Sequence, residues 1–292
     1  MSASEYTIVT LNIFHDLPMY RQLHRRCELI AEGIAARRPH VVALQEVVRS
    51  TTLGDVGVRL RDTVNRLCGG EVYRLDYAVA DGAGEGDFSF DEGVALLSRL
   101  EPAAEAESIK YRAQVEMAAE VAGHRYRLPD DRVAMRRRFR LAGGSLLDFY
   151  VSHLTDRPET VDGIPIRALQ ARELARWTAQ TRHPHAAAVV AGDFNDVAGS
   201  EAIASLTRAG FIDLHAAFGR GPGYTNDRND IALDAERATH NQRIDYLMLR
   251  PPNGKAPAVS EVGLFADRPH REPDGSWLWP SDHIGVIATV LI

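Results

Sequence analysis

The sequence predicts an α/β (α+β) chain in which helices cover the outside of mixed or antiparallel sheets. Three observations carry that prediction. Apolar runs of strand length alternate with amphipathic helical periods in both halves of the 292 residues. Several strand-like runs follow one another with no helix between them, which argues against a doubly wound parallel sheet. No Pro/Gly/Ser-rich linker, composition shift or internal repeat divides the chain, so one domain over residues 1–292 with a large core is expected.

Taken in order, residues 6–12 are rich in β-branched side chains and read as a strand ending at Asn12. Leu23, Cys27, Ile30, Ile34 and Ala35 then recur at helical spacing until Pro39 closes the helix. Residues 41–46 follow as a buried strand ending on the Glu46 carboxylate, and residues 56–67 as a second helix. Strands are expected over 72–79 and 93–100, separated by a Gly/Asp-rich loop over 81–92. The basic run 133–140 reads as extended. A solvated face for Arg136, Arg137 and Arg138 is expected ahead of their presentation to an anionic substrate. A strand over 146–152 ends at His153, and a helix covers 165–181. Next comes an apolar run, 186–191, that stops at Gly192 and delivers Asp193, Asn195 and Asp196. A short helix over 201–209 is stopped by Gly210, and strands over 243–249, 259–265 and 284–291 complete the chain.

The formal net charge of -6 weakens the case for a broad basic surface that grips duplex DNA. It leaves phosphate substrates open, because a bound divalent cation reverses the local sign. The two cysteines, Cys27 and Cys68, are expected as free thiols in a reducing compartment. Neither a signal peptide nor a membrane-spanning run is visible, so a cytoplasmic location and no membrane insertion are expected, with a monomer as the simplest assembly.

Polar residues stand where strands should simply turn: Asn12, Glu46, His153, and Asp193 with Asn195. On an extended backbone Asp193 and Asn195 leave on one face, an acid to position water beside an amide to donate to an oxyanion. The same Gly-Asp-x-Asn-Asp stretch also suits an Asx turn. Asp245 interrupts the apolar run Ile244–Leu249, and a buried carboxylate there needs a partner. Ser281-Asp282-His283 opens the last strand. Singly, Asn12 suits a turn, Glu46 a cap and His153 a satisfied core position; their recurrence at successive strand ends favours a site.

Together, Thr-Leu-Asn12, Leu-Gln-Glu46-Val, Ser-His153-Leu, Gly-Asp193-Phe-Asn195, Arg-Ile-Asp245-Tyr and Ser-Asp282-His283, in this order, resemble the endonuclease/exonuclease/phosphatase superfamily. The resemblance runs from Thr10 to His283. It implies a four-layered α/β/β/α sandwich of two mixed, mainly antiparallel sheets, and metal-dependent hydrolysis of a phosphate ester. By the same resemblance Glu46 is the main ligand of Mg²⁺ (Mn²⁺ as a substitute), with Asn12 beside it and Asp282 near enough to join. Asp193 handles the attacking water, Asn195 donates to the phosphorane-like oxygens, and His283, held by Asp245 on an adjacent strand of the same sheet, binds the phosphoryl group. His153 matches the histidine of nucleases and sphingomyelinases, and Glu92 the acid that pairs with it. A phosphodiesterase is therefore expected, nuclease-like or sphingomyelinase-like. The alternatives are a phosphomonoesterase acting on a small metabolite and a non-catalytic phosphate-binding module. The substrate could be nucleic acid, nucleotide, phospholipid or metabolite, selected by loops over 219–240 and 267–280. Trp277 and Trp279 there either stack on substrate or pack within their own loop.

Overall fold

The structure is a computed structural model that describes residues 4–85, 88–121, 124–226, 241–252 and 257–292. The chain runs β1 (Glu5–Asn12), α1 (Leu23–Arg37), β2 (Val41–Ser50), α2 (Val56–Cys68), β3 (Arg74–Glu85), β4 (Phe88–Ser98), β5 (Glu107–Lys110), β6 (Val115–Val121) and β7 (His124–Asp130). It continues through β8 (Val133–Arg140), β9 (Leu146–His153), α3 (Ile166–Thr181), β10 (Ala187–Asp193), α4 (Glu201–Arg208), α5 (Leu214–Phe218), β11 (Asp245–Arg250), β12 (Ala258–Phe265) and β13 (Gly285–Leu291). Shorter two-residue strands complete the ladders.

Two 7-stranded sheets face each other. The first is ordered β12-β13-β1-β2-β4-β3; the second runs from a short strand at Ile212–Asp213 through β11, β10, β9 and β8. Each contains one parallel pair, β1 with β2 and β9 with β10, and is otherwise antiparallel. A parallel pair requires a crossover, which α1 supplies in the first sheet and α3 in the second. The crossover brings both strands of a pair to the same edge at their carboxyl ends. Asn12 thus stands opposite Gln45, and His153 opposite Asp193.

Strand alternation then sorts the side chains into three apolar layers. Ile8, Ala43, Phe149, Val189, Leu247 and Ala288 belong to one cluster between the two sheets. Val9, Leu11 and Leu44 pack with Ile30 of α1 and Leu60 of α2 on the first sheet's outer face. Val190 and Phe194 pack with Leu174 of α3 and Ile203 of α4 on the second's. Helix, sheet, sheet, helix is the resulting order.

Two expectations are corrected. Of the Gly/Asp-rich loop expected over 81–92, residues 81–85 and 88–92 are instead paired strand, β3 with β4, and β4 also pairs with the continuation of β2, Val48 opposite Glu92; residues 86–87 lie outside the described ones. Tertiary pairing overrides weak local strand preference here. The arginines of β8 are neither solvated nor turned to a substrate. Arg136 and Arg138 lie on the face under α3, and both bond the wholly buried Asp148 of β9, at 2.8 and 2.9 Å. Arg137, on the opposite face, is 3.4 Å from Asp76. The first two pairings tie β8 to β9 within the second sheet, Arg138 also reaching Thr181 O of α3 at 3.1 Å, and the third faces the first sheet.

Opposite Ser152 of β9 stands Gly192 of β10. A Cβ at this position, where φ is 149°, would lie 1.8 Å from the Ser152 carbonyl oxygen. Backbone cannot yield that much, so Gly192→Ala should cost more than about 4 kcal/mol or prevent folding. Gly70→Ala, which has open space around its Cβ position, should change stability by less than about 0.5 kcal/mol. Urea unfolding of the two variants checks this, and near-wild-type stability of Gly192→Ala would refute the close approach.

At the opposite end of β1, His40 accepts a hydrogen bond from Thr7 N at Nδ1, 3.0 Å away. Burial and then the Arg99 charge lower its pKa to about 4. The unfolded chain takes up that proton at an ordinary histidine value near ~6.5. Stability is therefore present above the unfolded value and lost as pH falls from there towards 4. His40→Asn keeps an acceptor for Thr7 but cannot titrate, so the stability difference between wild type and variant should change with pH across that window alone. A difference that is flat with pH would show that His40 is not held neutral.

Candidate active site

The same alternation that builds the inter-sheet core carries beyond it to the site. Asn12 continues the face of Tyr6 and Ile8, and His153 that of Leu147, Phe149 and Val151. Asp193 continues the face of Ala187, Val189 and Ala191, and Asp245 that of Leu247 and Leu249. Each polar residue thus points between the sheets, at the edge where apolar packing stops. All four are at most 5% exposed, so each must be satisfied by a neighbour.

Glu46 reaches this space by a different route. Plain alternation would send it outward with Leu44 into the helix-covered cluster. Instead β2 does not end at Glu46 but bulges between Leu44 and Val47, with Glu46 at φ 57°. A bulge re-aims one side chain without ending the strand. The re-aimed carboxylate accepts from Asn12 Nδ2 at 2.9 Å and from His15 N at 3.2 Å. Left-handed backbone on a non-glycine residue costs free energy, and such strain gathers at functional positions.

Asn12 Nδ2 also donates to Asp193 Oδ2 at 3.0 Å, so one amide spans the two carboxylates. Asp193 Oδ1 accepts from Asn195 N at 2.9 Å, with Asn195 at φ 49°. The Gly-Asp-Phe-Asn segment is therefore an Asx turn, and the extended backbone that would put both side chains on one face does not occur. The turn still delivers Asn195 to the site: its Nδ2 donates to Leu154 O at 2.9 Å and lies 3.1 Å from His153 Nε2. Burial and then the Asp245 charge raise the Asp193 pKa to about 7, against the His283 charge and the Asn12 hydrogen bond.

His283 Nδ1 lies 2.9 Å from Asp245 Oδ2. The strands carrying the pair belong to different sheets, β11 to the second and β13 to the first, not to one sheet as expected. Thr225 ties the two together: its Oγ1 accepts from Ile244 N and Asp245 N at 3.1 Å, and its carbonyl accepts from Ile284 N at 2.7 Å. Two imidazoles of the site, His153 and His283, are driven apart in protonation. Burial and then the Arg132 charge hold His153 well below the usual range. Burial would do the same to His283, but the Asp245, Asp193 and Asp282 charges outweigh it and raise it well above.

These groups open onto a cleft of about 770 Å³. Glu92 lines it but does not pair with His153 as expected. Its carboxylate meets His15 Nε2 at 3.0 Å and Arg132 Nη1 at 3.5 Å. Burial opposes its ionisation, yet the His15 hydrogen bond, the His15 charge and the Arg132 charge hold it at about 2. His15, Arg132 and Asn226, whose Nδ2 is 2.7 Å from His283 Nε2, were not singled out from sequence. The one local signal was a histidine three residues beyond Asn12. Trp277 is exposed and Trp279 buried, and neither lines the cleft. Of the expected selecting loop over 219–240, residues 227–240 lie outside the described ones.

Two groups offer metal-ligating atoms. Asp193, Asp245 and His283 present atoms within 4.8 Å of one another, but all three are buried and His283 Nδ1 already meets Asp245. Glu46 and Asp282 line the cleft, with side chains 18% and 13% exposed, while the buried Asn12 amide turns its Nδ2 to Glu46 and its Oδ1 to Phe14 N. An open, oxygen-only donor set of this kind fits a small hard divalent cation.

The comparisons agree with this architecture. The sequence model of the Endonuclease/Exonuclease/phosphatase family matches residues 9–283. No curated protein matches the chain. Among solved structures, a protein of that family from Leptotrichia buccalis C-1013-b superimposes with a TM-score of 0.69 at 18% identity, covering 98% of this chain and 100% of its own. One from Bacteroides vulgatus gives 0.68 at 17%, covering 99% of each chain. D. rerio TDP2, complexed with single strand DNA product, gives 0.66 at 18%, covering 99% of this chain and 100% of its own. At such identities these structures speak for the fold. The matched sequence model speaks for kinship: the chain belongs to the endonuclease/exonuclease/phosphatase family, whose members are hydrolases of phosphate esters.

Proposed function

We propose that the chain is a divalent-metal-dependent phosphodiesterase that works by direct attack of water. One observation carries the reading. A continuous run of contacts links Glu46, Asn12, Asp193, Asn195 and His153, and the Asp245–His283 pair faces Asp193, with His283 Nε2 3.7 Å from its carboxylate.

Glu46, with Asn12 and Asp282, would hold Mg²⁺ or Mn²⁺ in the cleft. When bound there, such a cation polarises a phosphoryl oxygen and offsets its charge. Asp193 takes the proton of the attacking water. Both of its oxygens are held, by Asn12 Nδ2 and Asn195 N, and its raised pKa suits a base working near neutrality. His283, kept cationic by Asp245, donates to a phosphoryl oxygen, and neutral His153 and the Asn195 amide line the same space. Two like groups set in opposite protonation states can divide acid and electrostatic work between them.

A diester is preferred because His153 matches the histidine-bearing members of the family. The DNA product bound to D. rerio TDP2 agrees with a phosphate ester that has a nucleic-acid side. A monoester of a small metabolite is the second reading; that the cleft's arginines are engaged within the protein favours a small substrate over a long polyanion. Arg132 is already paired with Glu92 and Asp130, Arg157 with Asp130, and Arg167 with the carbonyls of Asn195, Asp156 and Arg157. Plasmid DNA, single-stranded RNA, sphingomyelin and inositol phosphates, tried in parallel, separate these substrates.

Hydrolysis of bis(p-nitrophenyl) phosphate should require Mg²⁺ or Mn²⁺ and stop with chelator. Glu46→Gln should fold normally, bind the cation about tenfold or more weakly, and lose turnover. Unchanged cation affinity by calorimetry would remove Glu46 from the ligand set.

His283→Ala should lower kcat by about 10²-fold or more. Asp245→Asn should lower it less, and the double variant should be little worse than His283→Ala alone. Multiplicative losses in that cycle would show that the two residues act separately.

A further inference from the structure

We propose that Arg26 is a positioning residue for the metal-holding end of the site: its guanidinium pins the loop after β1 to the segment that precedes Asp282. The inference rests on the assignment of Asn12, Glu46 and Asp282 to the cation. Arg26 lies in the first turn of α1 and is 0% exposed. Its donors go to main-chain carbonyls rather than to a carboxylate. Nε donates to Arg21 O at 3.0 Å, Nη1 to Ile13 O at 2.9 Å and Pro280 O at 3.4 Å, and Nη2 to Phe14 O at 2.7 Å. The nearby Asp16 is engaged by Arg21 at 2.6 Å.

A buried cation in the first turn of a helix, with no carboxylate bonded to it, is an expensive arrangement, since both burial and the helix dipole oppose it. What it gains is geometric. The loop it holds contains Phe14, Asp16, Tyr20 and Gln22 at φ between 48 and 58°, a run of left-handed non-glycine residues that local preference would not maintain. The Ile13 carbonyl at its start is buried and needs a donor. A planar guanidinium reaches several carbonyls at once, which a single ammonium cannot. Ile13 and Phe14 directly follow Asn12, and Pro280 stands two residues before Asp282. A second tie joins the same two segments, Ser281 Oγ to Asn12 O at 2.6 Å. Arg26 therefore controls the spacing between Asn12 and Asp282 without touching substrate or reacting atoms.

The test measures Mn²⁺ binding to the full chain, by loss of the free-ion electron paramagnetic resonance signal, at a temperature where circular dichroism shows each protein folded. Wild type, Glu46→Gln, Arg26→Lys and Arg26→Ala are compared. Both Arg26 variants should bind Mn²⁺ about tenfold or more weakly, as when the support of a metal ligand is removed. Millimolar ethylguanidinium should restore affinity to Arg26→Ala, and ethylammonium should not. If Arg26→Ala does not fold, Arg26→Lys decides alone. Arg26 variants that melt earlier yet bind Mn²⁺ like wild type, while Glu46→Gln binds weakly, would overturn the inference and reduce Arg26 to packing. Equal binding by wild type and Glu46→Gln would instead overturn the reading of the cation site, and the inference with it.

Discussion

The structure turns on one constraint: carboxylates that continue an apolar strand face must be satisfied where that face leaves the core. Asp193 and Asp245 stand opposite each other in register, both essentially buried. Burial and then the Asp245 charge make Asp193 resist ionisation. The molecule's answer is to bring donors from the other sheet, Asn12 of β1 to Asp193 and His283 of the segment that opens β13 to one oxygen of Asp245, while the second Asp245 oxygen is buried without a hydrogen-bond partner among the described residues. Sheet-to-sheet packing and site assembly are thus one problem, solved by the same contacts.

Much of this was legible in the chain. The strand-end positions of Asn12, His153 and Asp193 follow from apolar runs that stop abruptly, and those runs form strands in the structure. The helices are found within a few residues of their apolar periods. What the sequence could not provide was register. Arg138 faces Asp148 only because β8 and β9 pair as they do, and a basic run read without its neighbour looks solvated. The partner of Glu92 was hidden for the same reason, since His15 lies 77 positions away in a loop with no regular period. The Glu46 bulge was concealed more thoroughly. Val41 to Ser50 reads as strand throughout, and nothing local marks the position that turns left-handed.

Arg26 and Thr225 show a further limit. Each acts through main-chain groups of distant segments, and a composition of one arginine or one threonine carries no trace of that. Arg26 falls on a helix whose other side would be expected to hold the charge, and its burial is visible only once β1 and the Pro280 segment close over it. Side chains that organise backbone are, in this molecule, the part of the design least accessible to pattern reading.

The pairing of β13 with β1 has a temporal side. A ribosome delivers Asn12, Glu46, His153 and Asp193 early, yet His283 arrives only with the segment that enters the first sheet beside the very first strand. Until that segment is made, Asp245 has no ring to hold and Asp193 has only the imidazole of His153 beside it. A nascent chain therefore carries most of the cleft's residues before the contact between His283 and Asp245 can form.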